Sequence, residues 1–230
     1  YQEGRYRDAK KCAERVLTAG ADDGFMELLV KVNSELEKEL EARYRENGDC
    51  QSGLELCWCY LQDGKTARGI RFALGLEGKL PPEKEAEYYG LMAKLYIEEA
   101  EYEEAIAMTR RWEPALEEKM AKNGGADENE DRKDRDRLRQ ARLIRMQCFH
   151  SLGYRDKEKF ALSIEEGKDI LTGDARDVGV LLEMAQVYTQ MEEYELSIGV
   201  CQQLIEEFQV FAAYAYMLET YRPQLDAGGV

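Results

Sequence analysis

The residue types that most often catalyse reactions or bind metals are scarce in this sequence. His150 is the single histidine, which excludes a two-histidine zinc site of the HExxH type and argues against histidine-based catalysis such as a Ser-His-Asp triad. Walker A, dinucleotide-binding, GxSxG and EF-hand motifs are all missing, and the turn Asn123-Gly124-Gly125 lacks the Lys-Ser or Lys-Thr of a phosphate loop. The sequence therefore predicts no catalytic residue, no cofactor and no metal, and a chain that is not itself an enzyme.

Two short segments could still bind a metal. Cys57-Trp58-Cys59 places two thiols close together, but residues two apart on a helix point about 200° from one another, and no second cysteine pair follows. The acidic run Asp127 to Asp131 could hold a divalent cation, yet it passes directly into Arg132, Lys133 and Arg135. Packing is the preferred interpretation of the first segment, and a self-neutralising solvated helix or loop is preferred for the second.

Composition narrows the classes of partner. The net charge is -15, from 47 acidic and 32 basic residues, which argues against nucleic acid and against an anionic membrane surface. The longest uncharged run, residues 208–218, is too short to span a bilayer. Six cysteines lie scattered in apolar helical stretches, which predicts buried thiols, no disulfide frame and a reducing cytoplasmic location.

Without such motifs, any function must come from surfaces that the fold presents. The sequence predicts an all-helical fold. Proline is rare, strand-like alternation is absent, and apolar residues recur at three- and four-residue spacing. Glycine, proline and charge clusters mark the ends of twelve predicted helices, near residues 5–18, 25–47, 51–63, 65–77, 84–99, 102–113, 115–122, 132–152, 155–171, 177–191, 194–207 and 209–221.

These helices repeat in pairs. The clearest copy is Tyr89, Met92, Ala93 and Tyr96 followed by Ala100, Tyr102 and Ala105; a second is Leu181, Met184, Ala185 and Tyr188 followed by Tyr194 and Ser197. Looser copies are Leu56, Cys57, Tyr60, Gly64 and Gly69, then Met146, Phe149 and Gly153, with a half copy at Gly4, Tyr6 and Ala9. The pattern resembles the tetratricopeptide repeat family. That resemblance implies an all-α, right-handed α-α superhelix, a solenoid of antiparallel helix hairpins.

The repeats predict one solenoid over residues 1–230. Equivalent aromatic residues lie 36 residues apart from Tyr60 to Tyr96 and 39 apart from Phe149 to Tyr188, but 53 apart from Tyr96 to Phe149. The parts are a half repeat at 1–20, an extra helix at 25–47, hairpins at 51–77, 84–113, 138–171 and 177–207, a charged insertion at 114–137 and a terminal helix at 209–222. The repeat phase across residues 25–63 stays open, since Tyr44, Gly48 and Gly53 offer a competing alignment.

A solenoid of this kind presents a concave face built from the first helix of each hairpin. Projection from the strong copies predicts groove positions at Trp58, Gln62, Lys94, Gln147, His150, Gln186 and Gln190, together with Leu61, Ile97, Glu98, Ser151 and Thr189. Glutamine amides suit hydrogen bonding to a peptide backbone. Each residue could equally be an ordinary solvated side chain. Lys94 is the only basic residue in this set, so the carboxylate clamp of one tetratricopeptide subgroup is not expected, and a neutral or basic protein or peptide is the expected partner.

The last helix offers a second surface. Phe211, Tyr214 and Leu218 belong to an apolar stripe that is expected either to pack on the preceding hairpin or to mediate self-association as a homodimer. The chain begins at Tyr1 within a repeat, so it is expected to be part of a longer protein. Besides a binding scaffold, two other functions stay open: a regulatory or sensing region of a multidomain protein such as a bacterial serine/threonine kinase, and a homo-oligomerisation module.

Overall fold

A computed structural model describes residues 23–123, 128–173 and 175–227. Within these ranges the chain forms ten helices and no strand. The chain divides into two compact units, Tyr1–Glu99 and Ala100–Val230. The helix expected near residues 5–18 lies outside the described residues.

The first unit contains four described helices, α1 Asp23–Asn47, α2 Cys50–Gln62, α3 Thr66–Leu74 and α4 Pro82–Glu98. Short polar signals set their ends. The Asp49 carboxylate caps α2 by accepting the backbone N–H groups of Gln51 and Ser52. Gly64 adopts a φ of 68°, which lets the chain turn from α2 into α3. Helix α4 begins at Pro82, where the missing N–H would have had no helical partner.

Helix α2 lies at the centre of the first unit. Each helix packs on the next along the chain, and α2 also contacts α4. The core joins α1, α2 and α3 through Leu36, Leu40, Leu56, Cys59 and Tyr60, with Phe72 packed against them. First helices of successive hairpins lie side by side in a solenoid. The α2–α4 contact is the one expected if residues 50–63 form a first helix, while the bonds from Arg68 on α3 to Glu37 and Glu41 on α1 are those expected in the competing phase.

The second unit contains six described helices, α5 Tyr102–Asn123, α6 Glu128–Gly153, α7 Glu158–Gly173, α8 Val178–Gln190, α9 Tyr194–Phe208 and α10 Ala212–Ala227. Successive helices pack together, and α8 also contacts α6 and α10. Helix α8 carries two apolar sides. One joins α6 and α7 in a cluster of Met146, Phe160, Ile164, Ile170, Val180, Met184, Val187 and Tyr188. The other joins α9 and α10 through Leu181, Ala185, Cys201, Leu204 and Ala213.

The charged segment at 114–137 was expected to interrupt the hairpins, but its described residues belong to the end of α5 and the start of α6. Pro114 lies inside α5 instead of separating two helices. Pro114 and Arg110, whose carbonyl loses its helical partner, are both exposed, so water can satisfy that carbonyl. The acidic residues from Glu128 onward begin α6; Asp127 lies outside the described residues. Asp134 is fully buried and receives ion pairs from Lys119 at 2.8 Å and Arg137 at 2.7 Å. The segment therefore lengthens α5 and α6.

A buried arginine connects three helices of the second unit. The Arg145 side chain on α6 is 10% exposed, and its guanidinium donates to Glu113 of α5 at 3.0 Å and to both carboxylate oxygens of Glu166 of α7. Burial alone would lower the pKa of Arg145, but the bonds to Glu166 and Glu113 outweigh it and raise that pKa. Arg145 therefore stays protonated, and its bonds to Glu113 and Glu166 hold α5, α6 and α7 in a defined arrangement.

Helices α6 and α7 pack tightly at Gly153, the last residue of α6. A Cβ atom at this position would overlap the ring of Phe160, which is 3% exposed. The glycine of the fourth repeat copy is therefore required by packing. Gly199 on α9 offers a contrast, since a Cβ there would meet no atom within 4 Å.

We expect Gly153→Ala to lower the free energy of unfolding by about 1 to 3 kcal/mol, because the added methyl overpacks a buried ring. The matched change Gly199→Ala should raise it by roughly 0.5 to 1 kcal/mol, since alanine favours an exposed helix. Urea unfolding followed by circular dichroism measures both. Equal effects of the two substitutions would contradict the close approach at Gly153.

Candidate functional site

Predicted groove residues of the first unit meet where α2 contacts α4. The Lys94 ammonium on α4 lies 4.9 Å from the centre of the Trp58 ring on α2, and both side chains are half-buried. A cation over an indole face is attracted by the ring quadrupole. Gln62, one turn after Trp58, is exposed. The pair gives this face an apolar surface beside a positive charge.

In the second unit the corresponding contact joins His150 on α6 to Glu183 on α8. His150 Nδ1 lies 2.5 Å from Glu183 Oε1, and His150 Nε2 lies 3.4 Å from Tyr154 Oη. The imidazole also stacks on the Tyr154 ring with 5.6 Å between centres. With the carboxylate as acceptor, Nδ1 is the donor. His150 is therefore held in place at the junction of two first helices.

The three predicted glutamines of this unit flank that junction. Gln147 precedes His150 by one helical turn, and Gln186 and Gln190 follow Glu183 on α8. Gln147 and Gln190 are exposed and Gln186 is half-buried. None of the three amides bonds to another residue in the part of the chain that the structure describes. They keep both donor and acceptor capacity for a ligand.

The structure also corrects the membership of this face. Thr189, expected in the groove, turns inward and bonds to Ser197 at 2.8 Å and to Thr220 at 2.9 Å. Thr189 and Ser197 also lie within bonding distance of the Ala185 carbonyl. Glu183 was missed by sequence reasoning, although its position three residues before Gln186 on the same helix face could have indicated it.

Cysteine chemistry is suppressed by burial. None of the five described cysteines forms a disulfide, and only Cys50 among them is not fully buried. Burial raises the pKa of Cys57 to about 12 and that of Cys148 to about 12, and it raises the pKa of Cys201. These thiols stay protonated at neutral pH, so they are poor nucleophiles and poor metal ligands. Cys12 lies outside the described residues.

Potential metal ligands lie apart from one another in the described part of the chain. Within residues 23–123, 128–173 and 175–227, histidine, cysteine and acidic side chains form no group of three that could hold a metal ion. Over the same ranges, every helix is too short or too polar to cross a bilayer. The Cys57-Trp58-Cys59 segment contributes two buried thiols to the core of the first unit.

Two shallow cavities have charged side chains in their linings, some of them paired within the protein. One, of about 320 Å³, lies among α1, α2 and α3; there Glu41 accepts from Tyr60 at 3.0 Å and from Arg68 at 2.5 Å. The other, of about 400 Å³, lies along α6 and α7; there Arg139 pairs with Asp177.

The apolar stripe of the last helix divides between two faces. Ala213, Tyr216 and Met217 pack against the cluster that α8 and α9 form. Phe211, Tyr214 and Leu218 remain 78%, 46% and 70% exposed. The expectation of burial therefore holds for one side of α10, while the three self-association candidates lie on the other.

The raised thiol pKa values predict a loss of stability in alkali. Between about pH 9 and 10.5 the unfolded chain loses thiol protons that the folded state keeps, so the free energy of unfolding should fall by about 1.4 kcal/mol per pH unit for each buried thiol. In the double variant Cys57→Ala/Cys148→Ala this slope should be shallower by roughly 2 to 3 kcal/mol per pH unit. Urea unfolding at several pH values measures the slope, with Cys50→Ala as control. Identical slopes in all three proteins would refute the assignment.

Comparison with known proteins supports the fold. Neither a protein-family model nor a curated protein matches the sequence. Among solved structures, a tetratricopeptide repeat protein from Parabacteroides merdae is similar over 94% of this chain and 72% of its own, with 15% identity and a TM-score of 0.61. A thermophilic tetratricopeptide protein from Thermus thermophilus covers 94% of this chain and 98% of its own, with 13% identity and a TM-score of 0.49. The predicted fold class is thereby confirmed: the chain has a divergent, all-α, tetratricopeptide-like fold.

Proposed function

We propose that this chain is a protein-binding scaffold that holds peptide segments of a partner on the outward face of its first helices. The observation that carries the proposal is the repeated junction between neighbouring first helices. Trp58 meets Lys94 between α2 and α4, and His150 meets Glu183 between α6 and α8. Each junction holds partly buried, chemically distinct side chains at a surface.

The face of the second unit suits a peptide backbone. Gln147, Gln186 and Gln190 each offer an amide donor and an amide acceptor without a partner in the described residues. A peptide bond has the same two functions in reverse. These amides project from helices whose opposite sides are packed, so the fold fixes their backbone positions, and ordering each side chain on binding costs about 0.5 to 1.5 kcal/mol.

Charge favours a neutral or basic partner. The chain carries a net charge of -15, and Lys94 is the only cation among the predicted groove residues. Steering by the whole molecule would therefore slow the approach of acidic ligands and favour basic ones. The described cysteines form no disulfide, which favours action in a reducing compartment such as the cytoplasm.

Binding is also favoured over catalysis by the state of the reactive groups. The imidazole of His150, the single histidine, is already engaged by Glu183 and Tyr154. The Cys57 and Cys148 thiols have pKa values of about 12. Neither type of group is poised to attack a substrate at neutral pH.

A soluble peptide array probed with the wild-type chain tests the proposal. For the peptides that bind, Trp58→Ala in the first unit and Gln147→Ala/Gln186→Ala in the second should each weaken affinity about 10-fold or more where that unit is used, as truncation of a central contact does. Fluorescence anisotropy with the selected peptide measures the dissociation constant.

Gln202→Ala on α9 is the matched control, since this exposed glutamine lies on a second helix and should leave binding unchanged. An array without ligands, or peptides that bind all variants equally, would show that the first-helix face is not the site.

A further inference from the structure

The outer face of α10 is an exposed apolar surface with internal order. Phe211 and Leu218 are 78% and 70% exposed, with Tyr214 between them at 46% and Ala215 exposed beside it. The Phe211 and Tyr214 rings stack with centres 6.5 Å apart. We call Phe211, Tyr214, Ala215 and Leu218 the α10 stripe. Its spacing follows one side of a helix.

Burial on the inner face fixes the register of α10 against α8. A shift of 33 residues aligns the α8 residues that face α6 and α7 with the inner side of α10. The aligned pairs are Val180 with Ala213, Met184 with Met217, Val187 with Thr220 and Tyr188 with Tyr221. Ala213 and Met217 pack in the next cluster along the chain, and Thr220 bonds to Thr189 of α8. The two helices therefore use equivalent inner faces.

The same 33-residue shift maps the α10 stripe onto the other side of α8. Its four members correspond to Val178, Leu181, Leu182 and Ala185. On α8 all four pack in the cluster completed by Cys201 and Leu204 of α9 and by Ala213 of α10. The stripe thus occupies the register at which this fold receives a further helix, and in the described structure nothing covers it.

The charges around the α10 stripe favour one kind of binding helix. Residues 178–221, which include α8, α9 and most of α10, contain seven glutamates and no lysine, arginine, histidine or aspartate; the rest of α10 adds Arg222 and Asp226, one charge of each sign. Glu219 adjoins Leu218, and Glu206 and Glu207 end α9 just before the turn to Phe211; all three are exposed. A second copy of the chain would bring an identical acidic surface to the contact, which repulsion disfavours.

We propose that the α10 stripe docks an amphipathic helix of a partner protein, with an aliphatic row at i, i+3, i+4 and i+7 flanked by lysine or arginine. The row takes the place that Val200, Cys201 and Leu204 of α9 take against α8, and the basic flanks lie beside the acidic rim. This surface is separate from the first-helix face, so the proposal does not rest on the function proposed above.

The test uses the whole chain and a designed probe. The probe is a fluorescent helical peptide of about 18 residues, or five turns, with a leucine row and lysine flanks. Two comparison peptides carry the same residues in scrambled order, or glutamate in place of lysine. We expect the probe to bind at least 10 times more tightly than either, and its affinity to fall as salt is raised from 50 to about 500 mM.

Leu218→Asp should weaken probe binding about 10-fold or more, because it places a charge within the apolar stripe. Leu218 is exposed, so the variant should keep its fold, which circular dichroism checks. Val30→Asp is the matched control at a 65% exposed position on α1 and should bind like wild type, as should Trp58→Ala and Gln147→Ala/Gln186→Ala.

Three results would overturn the proposal. They are equal binding of the scrambled peptide, equal binding by Leu218→Asp, and a wild-type homodimer in sedimentation experiments that Leu218→Asp dissociates. The last would identify a second copy of the chain as the occupant.

Discussion

Within each unit, the close approach of each helix to the next along the chain is the constraint on which the structure depends. It requires small side chains at the seams, such as Gly153 against Phe160 and the fully buried Ser163 and Ala185. Large apolar side chains then fill the space between successive pairs. Because packing is almost entirely between near neighbours in sequence, the outward sides of the helices are released from core packing. Functional surfaces can form there without loss of stability.

Several buried polar side chains of the second unit bond across helices, and these bonds determine which sides of the helices face outward. Arg145 fixes α5, α6 and α7 through Glu113 and Glu166. The hydroxyl groups of Thr189, Ser197 and Thr220 fix α8, α9 and α10. A rotation of any of these helices would leave a buried polar group without a partner, which costs more than the bond itself contributes. The exposed positions of Gln190 and Leu218 follow from that register.

Local patterns predicted most of the helices, the burial of the four core thiols and the shared face of Trp58 and Lys94. They failed where another helix decides the outcome. Thr189 turns inward because Thr220, 31 residues later, bonds to it. In sequence, the α10 stripe has the same spacing as Leu181, Met184, Ala185 and Tyr188. Burial aligns the stripe three residues away from that match, because i, i+3, i+4 and i+7 spacing nearly maps onto itself after a one-turn shift. Pro114 did not end α5, because both it and Arg110 are exposed, so water can satisfy the Arg110 carbonyl. That exposure depends on tertiary packing, which a local sequence pattern does not contain.

The two candidate surfaces of the second unit should contribute to binding in different ways. A glutamine amide that exchanges water for a peptide group gains only about 0.5 to 1.5 kcal/mol, so Gln147, Gln186 and Gln190 would mainly discriminate among ligands. Full burial of Phe211 or Leu218 would contribute about 1.5 to 3 kcal/mol each, and these side chains start 78% and 70% exposed. The apolar stripe is therefore the stronger source of affinity, and the acidic rim beside it restricts which helices can use that surface.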